Sequence, residues 1–210
     1  MKKFITAMFV TLSAWAQAQG VDGTQQLQQR VNAIQSLDAD FSQVAYGGGA
    51  QKSSGNLKIS KPNKFAWTYK KPSEQEIVSN GQKVYFYDKD LQQVTVYPHK
   101  DMNGDMASVI LNGGQSLANN FAITLETNLP QELGGKGLAN AEAYRLQPRN
   151  CKIDYSAVWL VFRNGVLDRL LLDNDKQKTA LFFNNVKVNP KLNNKVFDFQ
   201  PPKGVDVIEN

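Results

Sequence analysis

The segment from Gly55 to Pro98 constrains the fold of this chain more than any other part of the sequence. Leu57 and Ile59 alternate with polar neighbours, and Phe65 and Trp67 repeat with the same period of two. That period places one file of side chains on one face of a β-sheet. A sheet face so rich in apolar and aromatic side chains needs a cover, and the nature of the cover decides what the protein does.

Turn signals divide the rest of the chain into further short strands. Asn80-Gly81 and Asn164-Gly165 are typical of tight β-hairpins, and Asp88-Lys89-Asp90 is a further turn. Apolar alternation resumes in six later stretches, namely residues 121–125, 144–146, 158–162, 170–172, 181–183 and 186–188. Short strands joined by hairpins predict a meandering antiparallel sheet in a mainly β protein of the α+β class.

Two segments have the character of helices that could cover the sheet. The first is predicted to begin at Asp22 or Thr24 and to give way to a strand near Asp40. Its apolar residues follow at spacings of three and four, as in an amphipathic helix: Leu27, Val31, Ile34 and then Leu37 or Ala39. The second segment, Asp101–Asn120, is predicted to form one or two short helices with glycine breaks.

The amino terminus has the layout of a secretory signal peptide. Two lysines precede an apolar stretch that is too short to span a bilayer, and Ala16-Gln17-Ala18 forms a small-x-small cleavage pattern. We therefore predict a signal peptide at residues 1–18 and a single domain at residues 19–210. Removing residues 1–18, with two lysines and no acid, lowers the formal net charge from +5 to +3. That weak charge and the absence of a basic block argue against nucleic acid as a partner.

The sequence offers little material for bond-making chemistry. His99 is the only histidine and Cys151 the only cysteine, so an internal disulfide is excluded. The common nucleophile, phosphate-loop and zinc-protease motifs are absent, and the spacing of the aspartates fits no calcium loop. We expect no enzyme activity, no catalytic residue, no cofactor and no metal. We expect instead a binding protein that contacts its ligand through an apolar surface.

Five short motifs follow one another along the chain: KPNKFAW at 61–67, QEIVSNG at 75–81, VYFYD at 84–88, QQVTV at 92–96 and FDFQPPKGV at 197–205. Taken in this order, they resemble the outer-membrane lipoprotein carrier protein (LolA) family. The resemblance implies an incomplete antiparallel β-barrel, or curved sheet, with an α-helical lid over its concave face. It further implies a monomeric periplasmic chaperone of a Gram-negative cell. Such a chaperone takes acylated lipoproteins from an inner-membrane ABC transporter to an outer-membrane acceptor.

Specific residues can be assigned to the parts of such a carrier. The candidate lipid-binding residues are apolar residues at alternating positions between Gly55 and Pro98: Leu57, Ile59, Phe65, Trp67, Ile77, Val84, Phe86, Val94 and Val96. The candidate lid residues come from both helical segments: Leu27, Val31, Ile34, Val109, Ile110 and Leu111. Lys61 stands where the family usually has an arginine that ties backbone carbonyls of the lid, and it is the candidate lid latch. A lysine lacks the planar fork of arginine.

Two other functions stay open on the sequence. A periplasmic lipoprotein-sensing or scaffold protein could use the same half-barrel without carrying cargo. A hydrolase acting on lipid is disfavoured by the single histidine and the missing nucleophile motif. Alternation also relates residues only within one strand, so it does not by itself decide which files of side chains share a face.

Overall fold

The computed structural model describes residues 22–99, 117–135, 138–149 and 155–210. Within these ranges the chain forms one twelve-stranded sheet. The strands are β1 Ser36–Tyr46, β2 Gln51–Ser60, β3 Lys64–Lys71, β4 Gln75–Asn80, β5 Lys83–Asp88, β6 Gln93–Pro98, β7 Phe121–Glu126, β8 Ala141–Pro148, β9 Ala157–Arg163, β10 Val166–Asp173, β11 Lys178–Val188 and β12 Asp206–Glu209.

The sheet consists of two antiparallel meanders that meet at β1 and β11. Strands β1 to β6 pair in chain order, as do β7 to β11, and β1 pairs with β11. The last strand, β12, adds in parallel to β6 at one edge, while β7 forms the other edge. The sheet is therefore open and curved rather than closed, which confirms the mainly β, incomplete-barrel prediction.

Helix α1, Gly23–Ala33, begins as the sequence predicts but ends earlier. The carboxylate of Asp22 caps it by accepting a hydrogen bond from the backbone N–H of Thr24 at 3.2 Å. Ile34 is already extended, and Leu37 lies in β1. The prediction that the helix continues to Leu37 or Ala39 was wrong, because the apolar residues from Leu37 onward follow the period of a strand.

The concave face of the sheet and helix α1 together enclose the main hydrophobic core. A second short helix, α2 at Leu117–Asn120, adds Leu117 to this core at the β7 edge. The buried strand residues of this core come from both meanders: Leu37, Ala39, Phe41, Leu57, Ile59, Phe65, Trp67, Val84, Phe121, Tyr144, Leu146, Val158, Leu160, Phe162, Leu167, Leu170, Leu172, Leu181 and Phe183.

Two segments cover parts of the convex face. Over the second meander, the chain around the 3-10 helix Gln131–Leu133 packs Leu133 into a smaller core. Over the first meander, the segment around the 3-10 helix Asn194–Phe197 packs Phe197 against Ala66 and Val78. Both meanders are thus partly buried on each face. The buried apolar side chains are therefore not confined to the concave face.

Gly55 allows β2 and β3 to approach closely on the concave side. A Cβ at this position would lie 1.9 Å from the backbone oxygen of Thr68 and 2.9 Å from Cζ of Phe41. The strand register shifts here, between Ser54 and Gly55. Because the nearest obstacle is backbone, only glycine fits this bulge.

Candidate functional site

Strand pairing brings most of the predicted lipid-binding residues onto one face. Residues that pair directly across antiparallel strands share a face of the sheet. The pairs Leu57 with Trp67, Ile59 with Phe65, Trp67 with Ile77, Ile77 with Phe86 and Ser79 with Val84 connect β2 to β5 on the concave side. Leu57, Ile59, Phe65, Trp67, Ile77, Val84 and Phe86, which we call the concave set, therefore form one continuous apolar surface. All of them belong to the main core or pack against it.

Val94 and Val96 lie on the opposite face. Val94 pairs with Tyr87 and Val96 with Tyr85, and both tyrosines point away from the concave set. The rings of Tyr85 and Tyr87 contact Phe199 of the carboxyl-terminal segment, with centroids 5.4 and 5.8 Å apart. The sequence-based placement of Val94 and Val96 beside Val84 and Phe86 therefore needs correction: the two valines are buried on the convex side.

Helix α1 lies on the concave face as the predicted lid helix. Leu27, Val31 and Ile34 are at most 6% exposed and belong to the same core as Leu57 and Phe65. The apolar side chains of α1 thus occupy the space above the sheet that a ligand would need. The other predicted lid residues, Val109, Ile110 and Leu111, lie outside the described residues.

Lys61 connects the β2–β3 loop to the lid helix. Its Nζ donates a hydrogen bond to the backbone carbonyl of Val31 at 2.5 Å, and its backbone N–H donates to the carbonyl of Gln35 at 2.9 Å. The carbonyl of Val31 lies in the last turn of α1, where it also accepts a hydrogen bond from the backbone N–H of Ile34 at 3.3 Å. Burial lowers the pKa of the Lys61 ammonium. The lysine at the predicted latch position thus contacts a carbonyl of α1 through a single donor atom.

A second connection between the lid helix and the sheet was not anticipated from the sequence. Arg30 of α1 forms an ion pair with Glu142 of β8, and its Nε donates to Oε2 at 2.8 Å. The hydroxyl of Tyr144 donates to the same carboxylate oxygen at 2.9 Å. The hydrogen bond from Arg30 is the main cause that lowers the pKa of Glu142. We call Arg30, Glu142 and Tyr144 the polar tether.

The polar tether borders a cleft at the edge of the lid helix. The cleft has a volume of about 500 Å³ and runs between α1 and the β9–β10 hairpin. Arg30 also stacks over the ring of Phe162 at 5.6 Å from its centroid. At this cleft the lid helix meets the sheet through the polar and aromatic contacts of Arg30 as well as through the aliphatic side chains of Ile34, Leu167 and Val188.

Asn189 fixes the junction between the lid helix and β1. Its side-chain oxygen accepts from the backbone N–H groups of Gln35 at 2.7 Å and Ser36 at 3.2 Å. Its side-chain nitrogen donates to the carbonyl of Ala33 at 2.9 Å. The carboxyl-terminal end of α1 is therefore anchored to the sheet, and a movement of the lid would pivot about this end.

The concave face carries a few polar groups among its aromatic rings. The hydroxyl of Tyr69 donates to the side-chain oxygen of Gln43 at 3.1 Å, and burial raises the pKa of Tyr69 to about 12. Phe41 lies between Trp67 and Tyr69, and its ring centroid is 5.3 Å from that of Trp67 and 5.2 Å from that of Tyr69.

Within the described ranges, no group of three or more His, Cys, Asp or Glu residues is placed to hold a metal ion. In the same ranges, no helix is both long and apolar enough to cross a membrane.

Comparison with known proteins agrees with this architecture. The sequence profile of the family described as outer membrane lipoprotein carrier protein LolA matches residues 32–200. An outer-membrane lipoprotein carrier protein from Legionella pneumophila (strain Corby) is 35% identical over 187 residues, covering 87% of this chain and 88% of the relative. One from Ralstonia nicotianae is 33% identical over 217 residues, covering 99% of this chain and 97% of the relative.

A solved structure shares the fold at low sequence identity. The crystal structure of an uncharacterized conserved protein from Thermus thermophilus superposes with a TM-score of 0.56 at 14% identity. The match covers 89% of this chain and 98% of that chain. The family match extends from the last two residues of α1 to the carboxyl-terminal segment that contains Phe197 and Phe199, and the two carrier proteins match over most of their own length. This chain belongs to the outer membrane lipoprotein carrier protein LolA family.

Proposed function

We propose that this protein carries acylated lipoproteins by holding their acyl chains against the concave set in place of the lid helix. The observation that carries the proposal is the lid itself. Leu27, Val31 and Ile34 fill the concave face with apolar side chains, while Lys61 and the polar tether hold α1 by polar contacts. An acyl chain can replace the apolar contacts, and the polar groups can return to water.

The magnitudes favour an exchange of this kind. Burial of Leu27, Val31 and Ile34 contributes roughly 5–9 kcal/mol, at about 1.5–3 kcal/mol for each side chain. An acyl chain of about 16 carbons gains on the order of 10 kcal/mol when it leaves water, at about 0.8 kcal/mol per methylene. One chain therefore roughly balances the lid, and additional chains shift the equilibrium toward the open, loaded form. A near balance also permits release to an acceptor.

The cellular setting follows from the family and from the amino terminus. We infer that residues 1–18 are a signal peptide and that residues 19–210 act as one monomeric domain in the periplasm. Loading by an inner-membrane ABC transporter and delivery to an outer-membrane acceptor would complete the cycle. The curated relatives are named as carriers, which favours carriage over sensing or scaffolding. The proposed work involves only binding, and no covalent bond is made or broken.

A transfer assay tests the proposal. Purified mature protein is mixed with inner-membrane vesicles that hold a labelled lipoprotein, the cognate transporter and ATP. We expect a soluble one-to-one complex of lipoprotein and carrier that forms only with ATP. Lipoprotein that stays with the vesicles would contradict carriage, and recovery of cargo with its acyl chains cleaved would support a hydrolase instead.

A further inference from the structure

The indole N–H of Trp67 is a buried hydrogen-bond donor without an acceptor in the described part of the chain. Trp67 is 4% exposed and belongs to the concave set. Buried donors in folded proteins almost always have a partner, and each exception calls for an explanation. Because Trp67 faces the space that the lid helix fills, the missing acceptor is expected on whatever replaces the lid.

The surroundings of Trp67 select a neutral acceptor. Its ring lies against Phe41 at 5.3 Å and stacks on Tyr69 at 6.4 Å, and its strand neighbours on the same face are Leu57 and Ile77. The hydroxyl of Tyr69 is already donated to Gln43. A charged carboxylate placed among these groups would be costly to desolvate, whereas a neutral carbonyl oxygen needs only one donor. The indole N–H supplies that donor.

We propose that Trp67 donates its indole N–H to a carbonyl oxygen where an acyl chain is linked to the cargo. This inference rests on the proposed function and sharpens it. The concave face would distinguish ester-linked or amide-linked chains from alkyl chains that lack a carbonyl. Trp67 would also place the linkage along the sheet, with the apolar part of the chain against the neighbouring residues of the concave set.

The indole resonances of the mature protein give a direct test. Trp67 and Trp159 are the only tryptophans after residue 18, and Trp159 lies on the convex side, where Arg145 stacks over it. Protein labelled with ¹⁵N is titrated with a synthetic cysteine lipopeptide that carries two ester-linked palmitoyl chains, and separately with its diether analogue. The diester probe should move the Trp67 Nε1–H resonance downfield, and the diether probe should not. Trp159→Phe assigns the two signals.

A third probe separates the two carbonyl sources. The diether lipopeptide with an added N-palmitoyl amide restores a carbonyl on the amide only. A downfield Trp67 signal with this probe and none with the diester would assign the contact to the amide, and the reverse result would assign it to an ester. Either result supports the hydrogen bond, because the diether probe presents the same apolar chains and peptide carbonyls but has no carbonyl at an acyl linkage.

Affinities measured on variants complete the test. Trp67→Phe should weaken binding of the diester probe about tenfold more than binding of the diether probe, as expected for one hydrogen bond lost in addition to the change of ring size. Trp159→Phe, the matched change on the convex side, should alter neither affinity. Equal binding of diester and diether probes by the wild type, with the same Trp67 shift, would overturn the inference even if Trp67→Phe fails to fold. Binding of none of the probes would overturn the proposed function, and this inference with it.

Discussion

Lys61 holds one end of helix α1 through a side chain that could also release it, as the proposed carriage of lipoproteins requires. Its single hydrogen bond to the carbonyl of Val31 closes the end of α1. An arginine at this position could form more than one hydrogen bond through its planar guanidinium. A lysine provides one charged donor on a flexible stem, and this donor must be partly desolvated, as its lowered pKa indicates. The contact therefore favours closure only modestly.

Lys61→Met should loosen the lid helix without unfolding the sheet. Methionine keeps the apolar stem but removes the donor to Val31, so the closed state loses one charge-assisted hydrogen bond. We expect backbone amides of α1 to exchange with solvent about tenfold faster, while amides of β9 and β10 keep their protection. Hydrogen exchange followed by mass spectrometry measures both regions in one experiment.

Lys61→Arg is the matched control, because it retains a charged donor. Its α1 amides should exchange no faster than those of the wild type. Unchanged exchange in α1 of Lys61→Met would show that this residue does not hold the lid helix.

At the residue scale, the sequence predicts single contacts only where a neighbour in the chain or a family pattern supplies the partner. Lys61 belongs to a recognisable motif, and its hydrogen bond to the lid could be anticipated. The unpaired indole N–H of Trp67 could not be anticipated, because the presence of a hydrogen-bond acceptor near a buried donor depends on atoms from several strands.

Helix α1 is held by polar contacts from distant parts of the sheet. Lys61 contacts it from the β2–β3 loop, and the polar tether contacts it from β8. Asn189 anchors its carboxyl-terminal end. An element held by a few polar contacts over an apolar surface can open as a unit, because no contact has to be broken within the helix itself.

The polar tether should make stability depend on pH in the acid range. The pKa of Glu142 is lowered in the folded protein, so its stabilising effect is complete above the ordinary glutamate pKa and is lost as pH falls through the lower, folded value. Glu142→Gln should reduce the free energy of unfolding by less than about 1 kcal/mol near neutral pH, since the side chain is 42% exposed. The difference from the wild type should vanish well below about pH 4.

Urea denaturation of both proteins across this pH range measures the effect. Glu126→Gln in β7 is a suitable control, because its carboxylate makes no ion pair within the described ranges. A Glu142→Gln difference that persists at low pH would mean that packing, rather than the ion pair with Arg30, is responsible.

Prediction of elements from the sequence succeeded where the signals were local. The cap at Asp22 and the hairpin at Asn164-Gly165 lie at the predicted positions, and Asn164 and Gly165 have φ values of 51° and 79°. The end of α1 was misplaced because Leu37 fits both a helical and a strand period. Arg30 and Glu142 lie 112 positions apart in the sequence, so no local sequence pattern predicts their ion pair.

Different parts of the molecule cover the two faces of the sheet, so that stability and the proposed binding can be separated. The concave face is covered by the lid helix, and parts of the convex face are covered by segments that contain Leu133 and Phe197. These outer cores can hold the sheet together when the lid opens. The two faces should therefore respond differently to the same kind of mutation.

Phe197→Ala should destabilise the protein without weakening cargo binding by the folded fraction. Phe197 is 1% exposed in the outer core, and removal of a buried phenylalanine ring costs about 3–5 kcal/mol. Phe65→Ala, on the concave face, should lower both stability and affinity for an acylated peptide. Thermal denaturation and binding of a fluorescent lipopeptide, measured at the same temperature, separate the two effects. Equal loss of affinity in both variants would contradict this division of the faces.

The overall architecture could be predicted because alternation, hairpin turns and the family motifs all point to a curved antiparallel sheet with a helical lid. The assignment of faces could not be completed, since it depends on how β5 pairs with β6. That pairing sets Val94 opposite Tyr87 and Val96 opposite Tyr85. The cover over these residues comes from the carboxyl-terminal segment, which lies far along the chain from β5 and β6.

Site-specific photo-crosslinking at two neighbouring positions tests whether acyl chains bind on the concave face. Phe86 and Tyr85 are adjacent aromatic residues of β5 that point to the concave and convex faces, respectively. A photoreactive phenylalanine analogue is placed at one position or the other, and each protein is loaded with a lipopeptide labelled in its acyl chains. We predict crosslinks to the acyl label from position 86 and none above background from position 85. Crosslinks from position 85 alone, or equally from both, would contradict binding of acyl chains on the concave face.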